Sequence, residues 1–214
     1  AWSVGEEPND DPDEDPESNE TWTCHALSAT KLVSSTDRGE LVCVDTNTGA
    51  VQWRKQADAH TNNQIVGNEK FVCYATWQGR PHAIVILDAV TGEPIADARP
   101  EEDWPVLGLA MMPHGALLIL FSNAIHVMDP ATGKSLWRVG TSDRFVPATM
   151  IVDEEGLFIS ADGRRLTKYD PLTGRVCWTT PPISNGSTDG FWCHASDGVI
   201  YSTCGEQLSA FDTA

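Results

Sequence analysis

The stretch that decides the fold is Leu41-Val-Cys-Val-Asp45-Thr-Asn-Thr48-Gly49-Ala-Val-Gln-Trp53, because it recurs along the chain. Its further copies are residues 84–96, 125–137 and 166–178, and a fifth copy begins at Leu208-Ser-Ala-Phe-Asp212. The five aspartates, Asp45, Asp88, Asp129, Asp170 and Asp212, are 43, 41, 41 and 42 residues apart. A period of this length indicates an array of similar supersecondary units that stack on one another.

Each copy predicts a β-hairpin. An apolar run forms the first strand. The aspartate carboxylate accepts hydrogen bonds from backbone amides two and three residues further on, which closes the turn. The glycine of the Thr-Gly pair adopts the left-handed conformation that leads into the next strand. The tryptophan at the end of that strand has a large flat face that can pack against a neighbouring sheet.

A second hairpin precedes each of the later copies. Its strands are predicted near residues 63–66 and 70–74, 107–111 and 116–120, 147–152 and 156–160, and 191–194 and 198–202. Four strands in about 42 residues form the blade of a β-propeller. The sequence therefore predicts an all-β chain that forms one domain, residues 1–214, of about five four-stranded blades. The predicted blades cover residues 21–56, 60–99, 104–140, 145–180, and 188–214 together with 1–4.

The phrase Asp-x-x-Thr-Gly-x-x-x-Trp resembles the repeat of quinoprotein-like (pyrroloquinoline-quinone-like, PQQ-like) β-propellers. That family includes quinoprotein alcohol dehydrogenases and a non-enzymatic lipoprotein of the machinery that assembles outer-membrane β-barrels. The resemblance implies that the blade tryptophans, Trp53, Trp137 and Trp178, dock against the adjacent blade. The second copy departs from the pattern, because Ala96 occupies the tryptophan position; Trp77 and Trp104 are possible substitutes.

The N-terminal residues Ala1-Trp2-Ser3-Val4-Gly5 resemble Leu136-Trp137-Arg-Val-Gly140. One interpretation is that residues 1–4 supply the outer strand of the fifth blade and close a five-bladed ring. The other is that the chain is a piece of a larger propeller. Strand pairing between residues 1–4 and the segment near residues 208–211 distinguishes the two.

The formal charge of −17 is concentrated near the N-terminus, where residues 6–20 hold nine carboxylates and no base. We interpret this segment as a solvated, flexible insertion, with calcium binding as the alternative. A chain without a basic stripe is not expected to bind nucleic acid or anionic membrane surfaces. No apolar run is long enough to predict membrane insertion.

The chemistry-bearing residues do not form a catalytic motif. The six cysteines are not arranged as Cys-x-x-Cys pairs, and disulfides and free thiols both remain open. His25 and His194 occur in related contexts, Trp22-Thr-Cys-His25 and Trp192-Cys-His194. We interpret the shared context as repeat homology with packing in the inner strand, and catalytic or metal use of the pair is the alternative.

The predicted function is a non-catalytic binding scaffold for a protein partner, with no catalytic, cofactor-binding or metal-binding residue. The alternative is a fragment of a PQQ- and calcium-dependent quinoprotein dehydrogenase. Family resemblance and the even number of cysteines favour an extracytoplasmic location, periplasmic or secreted. The oligomeric state is not predicted. The candidate partner-binding residues are the aromatic and basic residues of the loops between strands: His60, Trp77, Arg80, His82 and Trp104.

Overall fold

The computed structural model describes residues 22–36, 39–57, 61–76, 83–98, 106–140, 150–152, 156–160, 165–182, 192–204 and 207–212. Every regular element in these ranges is a β-strand, and the strands form five antiparallel sheets. No helix in this part of the chain is long and apolar enough to cross a membrane. The prediction of an all-β chain with about five blade-like sheets is confirmed. The chain divides into two compact units, Ala1–Asp103 and Trp104–Ala214.

The first unit contains two four-stranded sheets in which neighbours in sequence are neighbours in space. The strands of the first sheet are β1 (Trp22–Ala26), β2 (Lys31–Thr36), β3 (Glu40–Asp45) and β4 (Val51–Gln56). Those of the second are β5 (Thr61–Gly67), β6 (Phe71–Thr76), β7 (Ile84–Asp88) and β8 (Pro94–Ala98).

The second unit contains the other three sheets. The third sheet consists of β9 (Val106–Met111), β10 (Leu117–Phe121), β11 (Ala124–Asp129) and β12 (Lys134–Gly140). The fourth consists of β13 (Met150–Val152), β14 (Leu157–Ser160), β15 (Leu166–Tyr169) and β16 (Val176–Thr179). The fifth consists of β17 (Trp192–Ser196), β18 (Val199–Cys204) and β19 (Gln207–Asp212). Residues 1–4, predicted as the fourth strand of the fifth sheet, and the acidic segment 6–20 lie outside the described residues.

The pairing of third and fourth strands contains the same irregularity in all four of the four-stranded sheets. In the first sheet the register shifts between Cys43 and Val44, which places Trp53 opposite Cys43. The third and fourth sheets likewise place Trp137 opposite Val127 and Trp178 opposite Lys168. A bulge of this kind re-aims the side chains that follow it.

Three apolar clusters lie between consecutive sheets inside the two units. One joins the first sheet to the second and includes Leu41, Trp53 and Tyr74. A second joins the third sheet to the fourth, and a third joins the fourth to the fifth through Phe158, Ile200 and their neighbours. Removing these apolar side chains from water is the main force that holds neighbouring sheets together.

A buried lysine adds a polar link between the first two sheets. The Lys31 side chain, at the start of β2, donates a 2.9 Å hydrogen bond to the Glu69 carbonyl oxygen. The hydroxyl of Thr30 donates to the Glu69 carboxylate at 2.8 Å. Hydrogen bonds from Ser28 and Thr30 lower the pKa of Glu69, with the charge of Lys31 contributing. The link attaches the loop between β5 and β6 to the first sheet.

Candidate interaction surface

The turn after each third strand is closed by its aspartate. In the second sheet, Asp88 Oδ1 accepts hydrogen bonds from the amides of Val90 at 2.8 Å and Thr91 at 2.9 Å. The Gly92 amide donates to the Asp88 carbonyl oxygen at 2.8 Å. Equivalent carboxylate bonds join Asp45 to Asn47 and Thr48, Asp129 to Ala131, and Asp170 to Leu172 and Thr173. These bonds confirm the hydrogen-bonding role predicted for the aspartate.

The turn amides stabilise the ionised form of the aspartates. Backbone hydrogen bonds from the turn lower the pKa of Asp45, Asp88 and Asp170 below the ordinary value of 3.8. At neutral pH these three aspartates are therefore charged acceptors, and charge-assisted bonds of this kind are stronger than neutral ones.

The second residue after each aspartate has a fixed backbone and a free side chain. Its amide is bonded to the carboxylate, while its side chain is exposed in all four described turns. This residue differs from copy to copy: Asn47, Val90, Ala131 and Leu172. Val90 is 62% exposed and Leu172 is 69% exposed. Each turn thus holds one variable side chain in a set position. We call these four residues the turn-display positions.

The tryptophan of one sheet packs on the turn of the next. Trp53 Nε1 donates a 3.2 Å hydrogen bond to the carbonyl oxygen of Ala89. Trp137 Nε1 makes the equivalent 3.1 Å bond to Pro171. Beneath each ring lies the turn glycine, Gly92 under Trp53 and Gly174 under Trp137. Docking of Trp53 and Trp137 on an adjacent sheet, which family resemblance implied, is confirmed, and in both cases that sheet is the next one along the chain.

The residues predicted to bind a partner, His60, Trp77, Arg80, His82 and Trp104, all lie outside the described residues. The turn-display positions were missed by the sequence analysis, although a signal for them exists. Within the repeat Asp-x-x-Thr-Gly, the position before the threonine holds a different residue in each of the four copies, whereas the aspartate, the threonine and the glycine are constant. Variation inside a constant frame is what a display position produces.

Comparison with known proteins agrees with this geometry. The family profile described as "Outer membrane protein assembly factor BamB" matches residues 1–108 and 122–214. The chain belongs to the BamB family. No curated protein sequence matches this chain.

Solved structures share the fold of this BamB-family chain. BamB from Moraxella catarrhalis aligns with a TM-score of 0.64 and 20% identity over 87% of this chain and 56% of that protein. A computationally designed protein, Ika8, aligns with a TM-score of 0.69 and 14% identity over 88% of this chain and 57% of its own. A chain of the mitotic checkpoint complex aligns at 0.64 and 15% identity, covering 88% and 60%. These similarities show the β-propeller fold. The present chain spans less than three-fifths of the length of the BamB and Ika8 structures.

The inner-strand histidines of this BamB-family chain occupy equivalent places. His25 pairs with Val33, and His194 pairs with Tyr201, so both lie at the same register position of the first hairpin. This equivalence agrees with repeat homology. Burial lowers the pKa of His25, whereas His194 is exposed. Among the described residues, no three His, Cys, Asp or Glu side chains come together to hold a metal ion.

Among the cysteines whose side chains the structure describes, Cys43 and Cys73 are buried free thiols and Cys177 is an exposed one. Burial raises the pKa of Cys73 to about 12, because the thiolate would lose its hydration. We expect iodoacetamide to alkylate Cys177 in the folded protein at pH 8 and to leave Cys73 unmodified until urea unfolds the chain. Peptide mass spectrometry of the labelled protein measures both. Labelling of Cys73 at the rate of Cys177 without denaturant would contradict its burial.

Proposed function

We propose that this chain is a non-catalytic scaffold that binds protein partners during the assembly of outer membrane proteins. Membership in the BamB family supports the assembly role in general terms. The observation that carries the proposal is the set of turn-display positions, where a rigid turn presents a side chain that changes from blade to blade. Binding surfaces are often loops that a stable framework holds in place.

The turns are held rigidly enough to serve this purpose. In each turn the aspartate carboxylate accepts a hydrogen bond from the backbone amide of the turn-display residue. In the second and fourth sheets, the tryptophan of the preceding sheet also packs on the turn. The backbone of such a turn loses little conformational freedom when a partner binds, and pre-organisation of this kind favours affinity. Val90 and Leu172 offer exposed apolar contacts.

The proposed partner is a protein and not a nucleic acid, because a formal charge of −17 repels phosphate. The proposed location is extracytoplasmic, as the family's role in outer membrane protein assembly suggests. The proposal includes no quinone and no calcium. We expect that adding PQQ and calcium to the purified chain leaves its melting temperature unchanged and produces no dye reduction with alcohols.

The test is binding of the purified chain to a β-barrel outer membrane protein kept unfolded in dilute urea, measured by fluorescence anisotropy. We expect saturable binding that weakens several-fold when Leu172→Asp and Val90→Asp are combined. The matched control is Leu136→Asp together with Val176→Asp, which adds the same charge at two exposed apolar residues that lie outside the turns. Circular dichroism checks that all variants fold.

Two results would overturn the proposal. One is binding that the display substitutions and the control substitutions weaken equally, because the apolar side chains would then make no contact. The other is turnover of an alcohol in the presence of PQQ and calcium, which would establish an enzyme.

A further inference from the structure

Two serines are fully buried where the fourth sheet packs on the fifth. Ser160 is the last residue of β14 and Ser202 lies in β18, and both are 0% exposed. The hydroxyl oxygen of each finds no hydrogen-bond partner among the described residues. A buried hydroxyl without a partner is costly, because it has given up its hydrogen bonds to solvent. Two such groups in one region indicate that something else satisfies them.

The two serine side chains point into the same space from opposite sides. Side chains alternate between the two faces of a sheet along each strand. Phe158, two residues before Ser160, packs in the apolar cluster between the fourth and fifth sheets. Ile200, two residues before Ser202, packs in the same cluster. Ser160 therefore faces the fifth sheet and Ser202 faces the fourth, and we call these two residues the serine pair.

The space between the third and fourth sheets is filled differently at the same level. The counterpart of Ser160 in the third sheet is Leu120, since each pairs with the residue four before its repeat aspartate. The counterpart of Ser202 in the fourth sheet is Ile159, since each pairs with the residue three before its aspartate. Leu120 and Ile159 are buried in one apolar cluster. The serine pair thus puts two short hydroxyl side chains where the preceding sheets meet through two long apolar ones.

Between the first and second sheets this level holds one short and one long side chain. Ser35 makes the pair equivalent to that of Ser160, and Tyr74 makes the pair equivalent to that of Ser202. Tyr74 is buried in the cluster between those two sheets. Only the contact between the fourth and fifth sheets, of the three described, therefore has two short polar residues facing each other.

A third hydroxyl adjoins the serine pair. Ser209 in β19 pairs directly with Ser202, so the two side chains lie on the same face of the fifth sheet. Ser209 is half-buried. A buried water molecule typically makes about three hydrogen bonds to polar groups. The hydroxyls of Ser160, Ser202 and Ser209 match that number, and each of them can donate or accept.

We propose that an ordered water molecule lies between the fourth and fifth sheets and bridges the hydroxyls of Ser160 and Ser202. Water fits because it is small, carries no charge to oppose neutral hydroxyls, and donates and accepts at once. A cavity lined by apolar groups stays dry, whereas a polar one of sufficient size takes up water. The bridge gives this pair of sheets a polar link, as Lys31 does for the first two.

The water site goes beyond the scaffold function and does not depend on it. Ser160 pairs with Leu166, at the end of β15 remote from the turn that displays Leu172. The turn-display positions can therefore bind a partner whether or not the bridge exists.

The test is a double-mutant cycle on the full 214-residue chain, with the urea midpoint of unfolding as the readout. Ser160→Ala and Ser202→Ala are each expected to lower the midpoint, because each leaves the water with one partner fewer. The double variant is expected to lower it about as much as one single variant, because both changes remove the same bridge. A lowering equal to the sum of the two single effects would overturn the proposal.

Tyr169→Phe is the control for this cycle. Tyr169 is buried in the cluster between the third and fourth sheets, so the change removes a hydroxyl from the other face of the fourth sheet. We expect its effect to add to that of Ser160→Ala, as the effects of separate sites do. Equal coupling in both combinations would show that the unit responds as a whole, and the evidence for a shared water would be lost.

A high-resolution crystal structure of the unchanged chain gives the direct readout. We expect a water peak about 3 Å from the hydroxyl oxygens of both Ser160 and Ser202. A direct hydrogen bond between the two serines, or no density between them, would overturn the proposal. None of these results bears on the outer-membrane-protein assay, so the scaffold function stands or fails separately.

Discussion

Replacing Trp53 with alanine is expected to lower the free energy of unfolding of the first unit by about 3–5 kcal/mol. Trp53 is 8% exposed and packs in the cluster between the first two sheets, with its indole nitrogen 3.2 Å from the Ala89 carbonyl oxygen. The substitution removes the side chain that covers the turn after β7 and leaves a cavity between the first and second sheets. Such a loss is a large part of the roughly 5–15 kcal/mol that stabilises an ordinary domain. Urea unfolding followed by tryptophan-independent far-UV circular dichroism measures it.

Trp53→Phe separates packing from hydrogen bonding at this site. Phenylalanine keeps much of the apolar contact but cannot donate to Ala89, so we expect a smaller loss, with the hydrogen bond accounting for about 0.5–1.5 kcal/mol of it. If Trp53→Ala cost no more than Trp53→Phe, the tryptophan would not hold the two sheets together.

Gly174→Ala is expected to destabilise the second unit by about 2–5 kcal/mol, because two costs add. Gly174 has a φ of 70°, and a left-handed backbone costs an L-residue about 1–2 kcal/mol. A Cβ atom there would lie 2.5 Å from Cε3 of Trp137. Relieving that overlap requires the indole ring of Trp137 to move away from the turn, and overpacking of this kind costs about 1–3 kcal/mol.

Gly115 provides the control, because it has a φ of 88° and no atom within 4 Å of the position a Cβ would take. Gly115→Ala is expected to cost only the backbone term, about 1–2 kcal/mol. The difference between the two variants measures the contact with Trp137. It should disappear when Gly174→Ala is made in a Trp137→Ala background. Equal costs for both glycines in the native background would argue against the docking of Trp137 on this turn.

Much of the fold could be predicted from sequence because its signal is local. The hydrogen bonds of Asp88 to Val90 and Thr91 join residues two and three positions apart, so the repeat Asp-x-x-Thr-Gly carries the whole turn. The recurrence of that turn at nearly constant spacing then indicates the number of sheets. The candidate partner-binding residues were chosen from loop composition alone, which contains no such local rule, and they remain predictions outside the described residues.

The sequence by itself determined the period, the hairpins and the left-handed glycines, because each depends on contacts within a few positions of the chain. Only the tertiary structure decided that Trp53 donates to Ala89, 36 residues away, and that Gly92 must be small for a second reason, the ring above it. It also decided that Leu208, identical in pattern to Leu41, lies exposed. Burial depends on which surface lies opposite, and for the same repeat residue that surface differs from sheet to sheet.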